Sequence, residues 1–152
     1  MKELKEGDKA PDFLKYYTEL DKEDLKGKKI ILYFYPKDMT PGCTAEACNL
    51  RDNYEDLKAK GFEVIGVSPD DEKRHERFKE KYELPFTLIP DPDKKILNEF
   101  GVWGEKKMYG KTYMGVQRTT FIINENGVIE KIIRKVKTKD HTNQIYKELK
   151  VE

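Results

Sequence analysis

The chain reads as an α/β domain built on a mixed sheet, on three observations. Short β-branched and aromatic runs alternate with stretches of helical spacing, the pattern of an α/β fold. The last two strand-like runs flank Asn126-Gly127, the dipeptide most favoured in tight hairpin turns. The 152 residues are 37% apolar, with nine Tyr, seven Phe and one Trp, enough to build one core. That length predicts a single domain over residues 1–152.

Met1 to Asp12 is a charged N-terminal extension. Lys29-Ile-Ile-Leu-Tyr-Phe-Tyr35, closed by Pro36, is a buried strand. Pro41-Gly42 then breaks the chain, and Cys43 to Lys60 follows as a helix with Ala47, Leu50, Tyr54 and Leu57 on one face and Gly61 as its stop. Phe62 to Val67 is the next strand. Ser68 or Asp70 caps a polar helix from about Asp71 to Lys81. Phe86 to Ile89, between Pro85 and Pro90, is a short strand, and Asp93 to Phe100 a short helix. Thr119 to Ile123 and Val128 to Ile133 form the hairpin, and Asp140 or Thr142 begins a closing helix carrying Ile145, Tyr146 and Leu149. The early strands are expected to run parallel and the hairpin to add an antiparallel edge. This is the outline of a thioredoxin-like fold, a central mixed sheet flanked by helices.

Thirty Lys and Arg against 29 Asp and Glu leave a net charge of +1, which argues against a nucleic-acid module with its basic face. No stretch approaches the roughly 20 apolar residues of a membrane helix, and the charged N-terminus lacks a secretory pattern. The expected compartment is the cytoplasm, where a pair of cysteines points to catalysis, redox chemistry or metal binding rather than to a structural bridge.

The chemistry concentrates between Pro36 and Cys48. Cys43 follows a turn after a buried strand and falls in the first turn of a helix, where unpaired N–H groups and the helix dipole favour a thiolate, the reactive form. Thr40 can aim a hydroxyl at the same pocket, and Pro36 and Pro41 stiffen the loop. Cys48 lies five residues on. An intact helix would hold the two Cα atoms about 8.7 Å apart, beyond the ~4.4–6.8 Å of a disulfide, so bonding requires the first turns to unwind.

Other readings of the cysteines fit less well. Two buried, inert thiols remain a plain alternative. A thioredoxin-type dithiol needs Cys-x-x-Cys, and a plant-type iron–sulfur pattern needs further cysteines. Zinc would have to recruit His75 or His141, which lack the paired spacing. A Cys–His hydrolase would need one of them as base, yet His75 stands in Glu72-Lys-Arg-His-Glu-Arg77, read as a solvated helix face, and His141 helps to begin the last helix.

Pro36-x3-Thr40-x2-Cys43 resembles the active-site signature of the peroxiredoxins, thiol peroxidases of thioredoxin-like fold. Thr-Pro-Gly-Cys-Thr-Ala-Glu-Ala-Cys followed by Asn-Leu-Arg-Asp52 is similar to the Q subfamily, also called bacterioferritin comigratory proteins. Pro11-Asp-Phe13, Val64 to Ser68, Phe86 to Asp91, Met108 to Lys111 and Gly115 to Asn124 extend the resemblance along nearly the whole chain. Pro90 departs from it, where many members carry a small residue.

The resemblance implies that Cys43 attacks a hydroperoxide and becomes a sulfenic acid, and that Cys48 resolves it to an intramolecular disulfide. It further implies that Thr40, Arg118 and the backbone at Gly42 and Cys43 bind the peroxide, that Pro36 shields the sulfur and that Glu46 orders the pocket. Thioredoxin or a similar dithiol would reduce the disulfide, with no metal, haem or flavin. Monomer and homodimer both stay open. Arg51 is expected in a structural ion pair. Glu105 to Met114 is expected as a loop beside the active site rather than a single-strand binder, and Lys131 to Lys139 as a strand with one basic face. A general thiol–disulfide oxidoreductase and a redox-sensing interaction protein are the alternative functions.

Overall fold

The computed structural model describes residues 3–151; Met1, Lys2 and Glu152, the outer ends of the expected domain and extension, lie outside the described residues. Five strands form the central sheet: β1 (Lys29–Phe34), β2 (Phe62–Ser68), β3 (Thr87–Pro90), β6 (Thr119–Ile123) and β7 (Ile129–Ile133), in the order β3-β2-β1-β6-β7. β1, β2 and β3 are mutually parallel, while β6 runs antiparallel to both β1 and β7. The expected mixed sheet is therefore present.

Successive β1 side chains point to opposite faces, and both faces are covered. Leu32 and Phe34 join Ile65, Val67, Ile89 and Phe121 under α4 (Lys95–Glu99) and the N-terminal turns. Ile31, Tyr33 and Tyr35 join Val64, Ile122 and Ile133 under α1 (Pro41–Asp52), α2 (Tyr54–Ala59), α3 (Glu72–Tyr82) and α5 (His141–Leu149). Cys43 belongs to this second layer. The N-terminal extension runs along β7, with Gly7 donating to the Ile129 carbonyl at 2.7 Å and Ala10 to that of Gly127 at 2.9 Å.

Several boundaries differ from the sequence pattern for identifiable reasons. The single helix expected from Cys43 to Lys60 begins at Pro41 and is broken at Asn53 (φ −110°, ψ 8°), whose side chain donates to the Asn49 carbonyl at 2.8 Å in place of a regular continuation. α3 is capped by Asp71, which accepts from Arg74 N–H at 2.9 Å, because Ser68 and Asp70 are engaged with each other at 2.7 Å. Asn126-Gly127 does not form a two-residue turn. Only Gly127 has positive φ, and Asn124 Oδ1 instead accepts from the Asn126 and Val128 amides.

The expected loop between Glu105 and Met114 is a separate antiparallel hairpin of β4 (Trp103–Met108) and β5 (Lys111–Val116). Its turn is Tyr109-Gly110, both at positive φ, as a type I′ turn demands. The basic run after Lys131 is strand only as far as Ile133; a 3₁₀ turn, Thr138–Asp140, then leads into α5.

Candidate active site

The site lies where β1 gives way to α1. Pro41 and Gly42 open the helix, so Cys43 is its third residue and the Gly42 and Cys43 amides have no intrahelical acceptor. Cys43 is buried, at 1% exposure. Arg118, in the link between β5 and β6, reaches across from the adjacent strand. Its Nη2 lies 3.3 Å from Cys43 Sγ, and its Nη1 donates to Glu46 Oε1 at 2.7 Å. Gly42 leaves room for this approach, since a Cβ there would stand a tight 3.2 Å from Arg118 Nη2.

One guanidinium therefore faces two potential anions, the Cys43 sulfur and the Glu46 carboxylate. Burial alone would weaken the Arg118 cation, but Glu46 and Cys43 outweigh it and its pKa lies above the usual value. Burial pushes Glu46 the other way, up to about 7, although Arg118 partly offsets this. Burial, reinforced by Glu46, also keeps the nearby Tyr33 phenol protonated.

Behind Glu46 stands His141, the first residue of α5 and fully buried. Its protonation pattern follows from its neighbours. Gln144 Oε1 accepts from Lys137 N–H at 2.9 Å and Gln144 Nε2 donates to the Lys135 carbonyl at 2.8 Å, which fixes the amide orientation. His141 Nδ1 must then donate to Gln144 Oε1 at 2.9 Å, so Nε2 is the lone-pair side. Nε2 accepts the Thr120 hydroxyl at 2.8 Å and faces Glu46 Oε2 at 3.6 Å. Burial drives His141 down to about 4, so it is neutral at pH 7.

Thr40 precedes α1, but its hydroxyl donates to the Lys37 carbonyl at 2.8 Å rather than towards Cys43. The lone pairs of its Oγ1 stay free to accept. Pro36 is half-buried at the head of the same loop. Cys48 is partly exposed on α1, and both cysteines are free thiols with the helix between them intact. Arg51 contacts Asp52 at 2.9 Å and donates to the Tyr82 carbonyl at 2.8 Å, the structural pairing expected of it.

The loop from Pro36 to Thr40 is held by a second buried network that the sequence pattern did not reveal. Asp38 Oδ1 accepts from Tyr35 OH at 2.6 Å, Oδ2 contacts His75 Nδ1 at 2.7 Å, and Asp38 N–H donates to Asp70 Oδ2 at 2.8 Å. Arg74 bridges Asp70 at 2.9 Å. His75 is thus buried, at 3% exposure, not on a solvated face. The spacing His75, Phe78, Tyr82 marks that buried stripe inside an otherwise charged helix. Asp38, Asp70 and His75 have the donor types of a metal site, with ligand atoms within 4.8 Å of one another. Here those atoms bond to each other and to Tyr35, Ser68 and Arg74, which fastens the loop.

A buried cysteine at a helix start with an arginine on its sulfur defines a thiol-based redox enzyme on a thioredoxin-like sheet. Family comparison agrees: residues 6–132 match the AhpC/TSA family, and the chain belongs to it, as a peroxiredoxin and hence a thiol peroxidase. Within that family it falls in the bacterioferritin comigratory, or Q, branch. It is 50% identical over 147 residues to Peroxiredoxin Bcp of Bacillus subtilis, covering 95% of this chain and 94% of that protein. It is 44% identical to Peroxiredoxin Bcp of Escherichia coli K12, covering 99% and 98%. Among solved structures, a Xylella fastidiosa PrxQ cysteine-to-serine variant superposes with TM-score 0.86 at 29% identity, covering 99% of this chain and 98% of that one. The Xanthomonas campestris bacterioferritin comigratory protein, studied for alkyl peroxide reduction, gives TM-score 0.77 at 35% identity, covering 84% and 82%.

Proposed function

We propose that Cys43 reduces hydrogen peroxide and organic hydroperoxides, and that Cys48 resolves the product. The observation that carries this reading is the Arg118 contact to Cys43 Sγ, with the same guanidinium anchored by Glu46. Arg118 stabilises negative charge on the attacking sulfur and on the oxygens of the breaking O–O bond, an electrostatic arrangement set before substrate arrives. The thiolate attacks one peroxide oxygen, the other leaves and takes a proton as water or alcohol, and Cys43 becomes a sulfenic acid. Gly42 and Cys43 amides supply donors, and Thr40 Oγ1 accepts the peroxide proton. Organic hydroperoxides are included because the Xanthomonas campestris relative is described by its alkyl peroxide reduction.

Cys48 then attacks the Cys43 sulfur and expels water, giving a disulfide across the unwound first turns of α1. Thioredoxin or a similar dithiol reduces it by exchange, in the cytoplasm, with the chain acting as a monomer or homodimer. No helix among the described residues is long and apolar enough to cross a membrane. The test is steady-state peroxide consumption with a thioredoxin system: Cys43→Ser is expected to abolish it and Cys48→Ser to permit one oxidation and then stall. Normal turnover by Cys48→Ser would remove the resolving assignment.

A further inference from the structure

The residue directly after Cys48, Asn49, hydrogen-bonds α1 to the C-terminal segment through its side chain. Asn49 Oδ1 accepts the Thr142 N–H at 2.8 Å, and its Nδ2 donates to the Lys139 carbonyl at 3.2 Å. The Thr142 hydroxyl donates to the Asn49 carbonyl at 3.5 Å. Thr142 N–H is among the first amides of α5, which have no intrahelical acceptor. Asn49 thus satisfies an orphan helix donor and the carbonyl of the preceding turn together. Leu50, beside it, is fully buried under the same face. The Cys43 end of the helix is held through Arg118 and Glu46, and Glu46 also faces His141 of α5. Closing a disulfide must bring two Cα atoms from about 8.7 Å in the helix to within ~6.8 Å. The Asn49 bonds are among the contacts that restrain the Cys48 half from making that movement.

We propose that Asn49 is a positioning residue: by tying α1 to Lys139 and Thr142 it sets how readily the helix opens, and so whether the Cys43 sulfenic acid meets Cys48 or a second peroxide first. The inference rests on the resolving reading of Cys48 given above. The two fates balance separately. In one, the Cys48 sulfur bonds to the Cys43 sulfur and the hydroxyl leaves as water. In the other, a second hydroperoxide is reduced to its alcohol, or to water, and Cys43 becomes a sulfinic acid.

The test uses the full chain with Asn49→Ala, which loses both side-chain bonds, and Asn49→Asp, which keeps an acceptor for Thr142 N–H and loses the donor to Lys139. In the reduced protein, hydrogen exchange across residues 41–52 is expected to quicken about tenfold in Asn49→Ala, the scale of one or two lost hydrogen bonds. After hydrogen peroxide is added in excess, intact mass is expected to show disulfide forming about tenfold faster and a correspondingly smaller sulfinic fraction, with Asn49→Asp intermediate. The rate of the first oxidation is expected to stay near wild type, because Asn49 does not touch Cys43. If Asn49 merely caps α5, exchange rises in residues 141–149 alone and the sulfinic fraction does not move, which overturns the proposal. If Asn49→Ala does not fold, Asn49→Asp carries the same comparison. A wild-type protein that forms no Cys43–Cys48 disulfide overturns the resolving reading and this inference with it; normal wild-type resolution matched by both variants overturns the inference alone.

Discussion

Glu46 and His141 place opposite demands on stability over nearly the same pH range, and the structure predicts that they cancel. Glu46 titrates near 7 in the fold against 4.5 normally, so it alone makes stability fall as pH rises from 4.5 to about 7. His141 titrates near 4 against 6.5, so it alone makes stability rise from about 4 to 6.5. Each effect is worth about 1.4 kcal/mol per pH unit and about 3 kcal/mol in all. Across the shared window the native pair holds one proton, on Glu46 or shared with His141 Nε2, and the unfolded chain also holds one, on the histidine. Equal proton counts give no slope, wherever the proton sits within the pair. Glu46→Gln removes one side of this balance, so its own stability is expected to climb by about 3 kcal/mol between pH 4 and 6.5 where wild type stays level. His141→Gln removes the other and is expected to lose about 3 kcal/mol between pH 4.5 and 7. Urea unfolding of the reduced proteins at a series of pH values reads both differences directly. Parallel curves for wild type and Glu46→Gln would refute the reasoning, because they would mean that Glu46 titrates normally inside the fold.

Arg118→Ala is expected to slow the second-order oxidation of Cys43 about 10²–10³-fold, the usual cost of removing a preorganised charge donor, in a protein that stays folded with a lower urea midpoint because buried Glu46 loses its partner; unchanged kinetics by competition with a reference peroxidase would withdraw its assignment. Gly42→Ala is expected to displace the guanidinium, since its Cβ would crowd Nη2 at 3.2 Å, and to slow the same step while α1 keeps its helicity by circular dichroism. Leu32→Ala, in the fully buried centre of β1, is expected to cost about 2–5 kcal/mol, measured by urea unfolding.

Much of the fold was legible because its signals are local. β1, β2 and β6 are compact apolar runs, and Ala47, Leu50 and Leu57 mark the face of α1 and α2 that becomes fully buried. The candidate site is legible in sequence as far as Thr40, Cys43 and Cys48 share one short segment, though not in the Thr40 hydroxyl's turn to Lys37, and the resemblance adds Arg118 and Glu46 across a sequence gap that spacing cannot bridge. The missed features depend on tertiary partners. His75 lies among charges in sequence, and only packing beneath Tyr35 and Asp38 shows it to be buried. His141 opens a helix whose apolar stripe, His141, Ile145 and Leu149, includes it, but Glu46 and Thr120 lie on other elements. The break at Asn53 and the cap by Asp71 were settled by side chains competing for the same backbone groups, which composition does not rank.

The most direct test of the central claim is intact mass and thiol counting on the reduced protein after one equivalent of hydrogen peroxide. The account predicts loss of both thiols and a decrease of about two mass units in wild type, and a gain of about sixteen, one oxygen on Cys43, in Cys48→Ser. Two thiols still free in the wild-type protein after minutes would contradict it.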